Sequence, residues 1–236
     1  MAGRFLALPA WAAEVVSSNI VGYQKVTLQP GFNFVAPQFT AVGGGAIDLQ
    51  SIKLDVADAD VSGGDSIQVW DADGNGVSAY YWYPAEWIDG VKSGWIDETG
   101  SRADVDIDPG IGVVIDSTDD FTITVAGEVS TNDCCVTSVT GFNYVGNSTP
   151  VPIDIQDIQL DIPDDEVSGG DSIQIWDSDG NGVAAFYWYP AEWIDGVKSG
   201  WVDETGSRAA VDIDPGVGVV FDASADDIHL TVPSAL

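Results

Sequence analysis

A block of about 55 residues occurs twice in this chain, at 61–115 and at 167–221, with about 8 substitutions between the two. Shorter matches extend the likeness: Ile47-Asp48-Leu49-Gln50 corresponds to Ile153-Asp154-Ile155-Gln156, and Gly31-Phe32-Asn33 corresponds to Gly141-Phe142-Asn143. The duplication constrains the fold strongly, because whatever the first copy forms the second should form as well. It predicts an N-terminal segment at 1–12, a first copy at 13–125 and a second copy at 126–236, each copy of small-domain size.

The chain is strongly acidic, with 38 Asp and Glu against seven Lys and Arg and a formal net charge of -31. A field of this sign repels nucleic acid and anionic membrane surfaces, so neither is an expected partner. Two interpretations of the acidity stay open. It is a solvated surface suited to high salt, or a supply of carboxylates for divalent cations such as calcium.

The periodicity predicts β-strands and almost no helix, because no stretch sustains the apolar spacing of an amphipathic helix. Short alternating segments recur between turn-rich links such as Asp73-Gly-Asn-Gly76 and Asp108-Pro-Gly110. We therefore expect an all-β protein made of two tandem antiparallel β-sandwich or jelly-roll-like repeats.

The N-terminus favours export. Arg4, an apolar stretch from Phe5 and the boundary Ala10-Trp11-Ala12 are typical of the trailing part of a secretory signal. The alternative is an apolar tail that packs against the first strand. No apolar run is long enough to span a bilayer, so we expect no membrane span and a secreted or cell-surface location.

The two cysteines, Cys134 and Cys135, are adjacent and have no Cys or His partner at zinc spacing. Three states stay open: a strained bridge within the pair, a cross-link between two chains, or two free thiols.

A Gly-rich loop predicts calcium. Asp, Asp and Asn at its first, third and fifth positions, with a backbone carbonyl at the seventh, resemble the front half of an EF-hand loop. Position twelve is Trp82 or Trp188 rather than Glu, so a further ligand such as Asp65 or Asp171 is needed. The alternative is a plain turn between strands. The predicted ligands are Asp71, Asp73, Asn75, Val77, Asp177, Asp179, Asn181 and Val183.

An aromatic run follows each loop, Tyr80-Tyr81-Trp82-Tyr83 and Phe186-Tyr187-Trp188-Tyr189. Strand alternation sends two rings of each run into the core and two to the opposite face. The second pair suits either an interface or stacking on sugars. The candidate carbohydrate or interface aromatics are Tyr81, Tyr83, Trp87, Tyr187, Tyr189 and Trp193.

No catalytic constellation stands out. The single histidine, His229, lies in a predicted strand, and no phosphate-binding loop, nucleophile elbow or metalloprotease motif is present. The sequence predicts a protein that is not an enzyme.

The motifs Gly64-Asp-Ser-Ile-Gln-Val-Trp70, Gly94-Trp-Ile-Asp-Glu-Thr-Gly100 and Pro109-Gly-Ile-Gly112 resemble an uncharacterised family of exported bacterial β-repeat proteins. The opening segment, Asn19-Ile-Val-Gly-Tyr23 and Pro30-Gly-Phe-Asn33, is similar to theirs as well. The resemblance implies export and a β fold, and it implies no catalytic residue.

The leading functional hypothesis is an extracellular structural protein that assembles into a filament or surface layer, with calcium at the Asp-Gly-Asn-Gly loops. If the contact between the two copies is repeated between molecules, it makes an open head-to-tail polymer. The alternative hypothesis is a secreted carbohydrate-binding module that uses the Tyr/Trp strand of each copy.

Overall fold

The computed structural model of the chain describes residues 21–55, 64–70, 77–83, 93–162, 170–176, 183–189 and 199–234. In these residues the regular structure is almost entirely β-strand, and the strand pairs are antiparallel. The predicted all-β fold is confirmed, whereas the sandwich or jelly-roll arrangement stays a prediction. Within the same ranges, no helix is long and apolar enough to cross a membrane.

The first copy builds two main sheets. Its described strands are β1 Val21–Leu28, β2 Gly31–Val35, β3 Ile47–Asp48, β4 Lys53–Leu54, β5 Ser66–Trp70, β6 Val77–Tyr83, β7 Gly94–Ile96, β8 Asp106–Ile107, β9 Val113–Ser117 and β10 Phe121–Glu128. Five of them form a sheet in the order β2-β9-β5-β6-β7, and three form a sheet in the order β1-β10-β4. Strand β3 pairs with β8 alone.

The second copy repeats these sheets. Its described strands are β11 Cys134–Thr137, β12 Gly141–Gly146, β13 Ile153–Asp154, β14 Gln159–Leu160, β15 Ser172–Trp176, β16 Val183–Tyr189, β17 Gly200–Val202, β18 Asp212–Ile213, β19 Gly218–Ala223 and β20 His229–Val232. The sheet orders are β12-β19-β15-β16-β17, β11-β20-β14 and β13-β18. The duplication in sequence is therefore a duplication in topology. The predicted boundary after residue 125 falls inside β10.

Each copy has its own apolar core. A pair of tryptophans lies at the centre of each, with ring centroids 5.1 Å apart for Trp82 and Trp95 and 5.2 Å apart for Trp188 and Trp201. Both pairs meet edge to face, an arrangement that contributes roughly 0.5–1.5 kcal/mol beyond the burial of apolar area. The rings around which each copy packs are thus supplied by the repeated block itself.

A half-buried glutamine fixes the β7 edge of the first five-stranded sheet and the equivalent β17 edge of the second. The side-chain amide of Gln50 donates to the carbonyl oxygens of Trp95 and Ala103, both at 2.8 Å, and its oxygen accepts from the backbone N–H of Trp95 at 3.0 Å. Gln156 makes the equivalent three bonds in the second copy. The matching Ile-Asp-x-Gln segments therefore serve a structural purpose.

The long strand that the pattern predicts at 47–56 is interrupted. A 3₁₀ helix at Leu49–Ser51 separates β3 from β4. The carboxylate of Asp48 accepts a hydrogen bond from the backbone N–H of Gln50 at 2.9 Å, and this local cap competes successfully with a continuous strand.

Candidate functional site between the two copies

The two copies contact each other through equivalent residues. Val35 forms an antiparallel bridge with Val217, and Ile111 forms one with Val145. In the alignment of the copies, Val35 corresponds to Val145 and Ile111 corresponds to Val217. Each copy therefore presents the same two segments to the other, which makes the contact isologous, with approximate two-fold symmetry.

Backbone hydrogen bonds follow the same symmetry. The N–H of Ala36 donates to the carbonyl of Gly216 at 2.9 Å, and the N–H of Gly146 donates to the carbonyl of Gly110 at 3.1 Å. The chains approach so closely that a Cβ at position 146 would lie 2.6 Å from the Cβ of Ala36, and one at Gly218 would lie 2.8 Å from the backbone of the first copy. Glycine is required at this contact because any side chain there meets the other copy.

Gln24 and Cys134 occupy equivalent positions in the two copies, and the side chain of each donates a hydrogen bond to the other copy. The amide of Gln24 donates to the carbonyl of Pro215 at 3.5 Å, and the thiol of Cys134 donates to the carbonyl of Pro109 at 2.8 Å. Both acceptors are the prolines of the repeated Asp-Pro-Gly turns. The two turns thus supply the acceptors of these hydrogen bonds between the copies.

Four aromatic rings run across the contact, alternating between the copies. Trp70 meets Tyr144 with centroids 5.5 Å apart, Tyr144 meets Phe34 at 6.0 Å, and Phe34 meets Trp176 at 5.1 Å. Trp70 and Trp176 are therefore not core residues of their own copies but contact rings of the other copy. The run is uneven, since Trp70 and Tyr144 are nearly perpendicular at 78° and Phe34 and Trp176 are stacked at 13°.

A cleft of about 360 Å³ lies between the copies at the perpendicular end of the ring run. Trp70, Tyr80 and Tyr144 line it, together with Asp106 and Asp108, whose side chains are exposed. Within the described part of the chain, the indole Nε1 of Trp70 is closed off from solvent and has no hydrogen-bond partner. Burial raises the pKa of Tyr144, which keeps its phenol protonated at neutral pH. The cleft thus combines aromatic walls, a phenol hydroxyl and two carboxylate acceptors.

The two ends of the ring run differ chemically. The positions equivalent to Tyr144 and Tyr80 are Phe34 and Phe186. Phe34 is covered by Trp176, and neither phenylalanine carries a hydroxyl. One of the about 8 substitutions in the repeated block, Tyr80 against Phe186, therefore falls at this site, together with the Phe34–Tyr144 difference outside the block.

A wider groove of about 760 Å³ adjoins the cleft and shares Asp108 and Thr137 with it. Cys134 and Cys135 both line this groove and are free thiols. They are neighbours in the extended strand β11, so their side chains point to opposite faces. Burial, and secondarily the charge of Cys135, raises the pKa of Cys134 to about 11.

The predicted aromatic runs alternate as expected. Trp82 and Trp188 lie in the cores, while the side chains predicted for the other face are half-buried; these are Tyr81, Tyr83, Tyr187 and Tyr189. Trp87 and Trp193 lie outside the described residues. The described rings form separate rows on the two five-stranded sheets and do not take part in the ring run between the copies.

The predicted calcium loops lie mostly outside the described residues, namely Asp71, Asp73, Asn75, Asp177, Asp179 and Asn181. Val77 and Val183 are described and begin β6 and β16. The further candidate ligand Asp65 is buried, and its carboxylate accepts hydrogen bonds from the backbone N–H and the hydroxyl of Thr118, both at 2.9 Å. Its part in calcium binding stays a prediction. Within the described ranges, no three His, Cys, Asp or Glu side chains form a group that suits a metal ion.

Comparisons with protein-family models, curated proteins and solved structures found no match. The resemblance to exported bacterial β-repeat proteins therefore stays a prediction.

Proposed function

We propose that this protein is a non-enzymatic structural protein that acts outside the cell and associates head to tail into filaments or surface layers. The observation that carries the proposal is a pair of open sheet edges. In the described ranges, β1 forms a ladder with β10 alone and β11 forms a ladder with β20 alone. An edge strand with unpaired backbone groups is a template for strand addition.

The composition of these edges supports their use as contacts. Strands β1 and β11 contain no acidic residue in a chain of net charge -31. Two molecules that meet along them therefore bring less like charge together than at most other surfaces. The side chains of Val21 and Tyr23 on β1 are 66% and 74% exposed, which adds apolar area to the same edge.

Head-to-tail growth in this proposal joins β11 of one molecule to β1 of the next. The two edges belong to different copies, so the contact is heterologous and stays open at both ends. The sequence led us to expect that different molecules associate through the same contact that joins the two copies within one molecule, and we do not propose this contact for assembly. That contact is isologous, and each copy already uses its surface for the other copy.

Calcium has two roles in the proposed assembly. Binding at the Asp-Gly-Asn-Gly loops stabilises each copy, and neutralisation of carboxylates lowers the repulsion between molecules of this charge. The secretory signal predicted in the N-terminal segment supports a location outside the cell, where calcium is abundant.

The test replaces Val21 and Tyr23 with lysine in one variant. Lysines along an edge strand oppose strand addition, so the variant should stay monomeric under conditions in which the wild type forms polymers in electron micrographs. The matched control places lysines at Val42 and Phe142, which are 79% and 53% exposed and belong to neither β1 nor β11. Polymers of the β1 variant that equal those of the wild type would rule out this edge.

Carbohydrate binding is the second candidate function, and the half-buried tyrosine rows favour it. Tyr81 and Tyr187 occupy equivalent positions on the two sheets, so a repeating glycan could engage both and gain avidity. Replacing both with alanine should weaken retention on an insoluble polysaccharide and leave the fold intact. Equal retention of the variant and the wild type would exclude these rings as the binding surface.

A further inference from the structure

We propose that the cleft between the copies, lined by Trp70, Tyr80 and Tyr144, binds a neutral sugar residue. The site goes beyond a structural role and is separate from the tyrosine rows of the sheets. It belongs to neither copy alone, because Trp70 and Tyr80 come from the first copy and Tyr144 comes from the second.

The shape of the cleft suits a small ring with apolar faces. Trp70 and Tyr144 stand at 78° to each other and form two walls of a corner. The C–H face of a pyranose packs on such a wall and excludes water from it. The volume of about 360 Å³ lies within the usual range of small-molecule sites, about 300–1,000 Å³.

The polar groups of the cleft match the hydroxyls of a sugar. Asp106 and Asp108 accept from sugar hydroxyls, and the protonated phenol of Tyr144 can donate or accept. An organic cation is the competing occupant, because it would also satisfy the carboxylates, so the experiment includes one as a probe.

The negative charge of the cleft and of the whole chain favours neutral sugars over acidic ones. The described lining contains two carboxylates and no Lys or Arg. A uronic or sialic acid would meet these carboxylates and the field of the whole chain, so acidic sugars are disfavoured. Neutral hexoses and N-acetylhexosamines carry no such cost.

The symmetry of the molecule supplies the matched control. Trp176 is the equivalent of Trp70 but stacks on Phe34, so its end of the ring run offers a covered phenylalanine in place of Tyr144. Replacing Trp70 with alanine removes one aromatic wall of the cleft. Replacing Trp176 with alanine removes a ring of the same size at the other end.

The experiment measures saturation-transfer NMR on the full chain with methyl glucoside, methyl galactoside, N-acetylglucosamine and glucuronic acid, and with tetramethylammonium as the cationic probe. The expected result is transfer to at least one neutral sugar at millimolar concentration. Trp70→Ala should raise its Kd about tenfold or more, while Trp176→Ala should leave it unchanged.

A milder pair of variants keeps the test decisive if Trp70→Ala fails to fold. Tyr144→Phe removes only the hydroxyl and should raise the Kd several-fold, while Phe34→Tyr should not change it. The proposal is overturned if no neutral sugar shows transfer, if tetramethylammonium or glucuronic acid binds in preference, or if the Trp70 and Tyr144 variants bind like the wild type.

Discussion

At the scale of single residues, the tryptophans divide into two structural roles. Trp95 and Trp201 are fully buried, and each indole N–H donates to a backbone carbonyl, that of Ile52 at 2.7 Å and that of Ile158 at 2.9 Å. Trp70 and Trp176 lie between the copies instead. The sequence pattern is similar around all four, and only the packing separates them.

Replacing Trp201 with phenylalanine should lower the free energy of unfolding by about 1–3 kcal/mol, because it leaves the buried carbonyl of Ile158 without its donor. Denaturant unfolding measures this change. The control Trp176→Phe keeps a ring against Phe34 at a position that is 47% exposed, and it should change the free energy by no more than about 0.5 kcal/mol. Equal effects of the two variants would contradict the assigned role of the indole bond.

The two thiols should react with iodoacetamide at different rates. Cys135 is exposed, whereas burial raises the pKa of Cys134 to about 11. A thiol with this pKa is roughly one part in a thousand thiolate at pH 8, and its reaction accelerates only as the pH rises toward 11. Mass spectrometry should therefore find Cys135 modified first at pH 8, and Cys135→Ser should remove the fast phase. A bridge between Cys134 and Cys135 in the native protein would contradict the structure.

At the scale of elements, local pattern was enough to predict strands such as β1, β5 and β7, since apolar alternation bounded by turn residues is a local property. The same pattern missed the 3₁₀ helix at Leu49–Ser51, because the Asp48 cap depends on one side-chain hydrogen bond. Alternation also assigned Trp82 to the core and Tyr81 to the other face.

The contact between the copies could not be predicted from local sequence patterns. The meeting of Phe34 with Tyr144, and of each with a tryptophan of the other copy, depends on how two folded units pack. No periodicity encodes that packing. The available signal was that the Asp-Pro-Gly turns and the Gly31-Phe32-Asn33 segment recur in both copies.

Replacing Gly218 with valine should separate the copies, because a side chain there meets the backbone of Phe34 and Val35 in the first copy. Overpacking of this kind costs about 1–3 kcal/mol. Small-angle X-ray scattering should show a larger radius of gyration, and the far-ultraviolet signal of each fold should persist. The control Thr27→Val exchanges one β-branched residue for another at an exposed position of β1 and should leave the radius unchanged. An unchanged radius in the Gly218 variant would contradict the assigned contact.

At the scale of the whole molecule, the chain resembles an isologous dimer whose two subunits are joined into one polypeptide. The paired surfaces lie at the centre, with four rings, the two Asp-Pro-Gly turns and the close glycines Gly146 and Gly218. The edges β1 and β11 remain available to other molecules within the described part of the fold. The contact between the two copies is complete within one molecule, whereas the proposed contact along β1 and β11 would continue from one molecule to the next.

The most direct test is electron microscopy of the purified protein in calcium and then in a chelator, at matched ionic strength. The proposal predicts ordered filaments or sheets in calcium that disperse when the ion is removed, since calcium lowers the repulsion between chains of net charge -31. Particles of monomer size under both conditions would contradict the structural role.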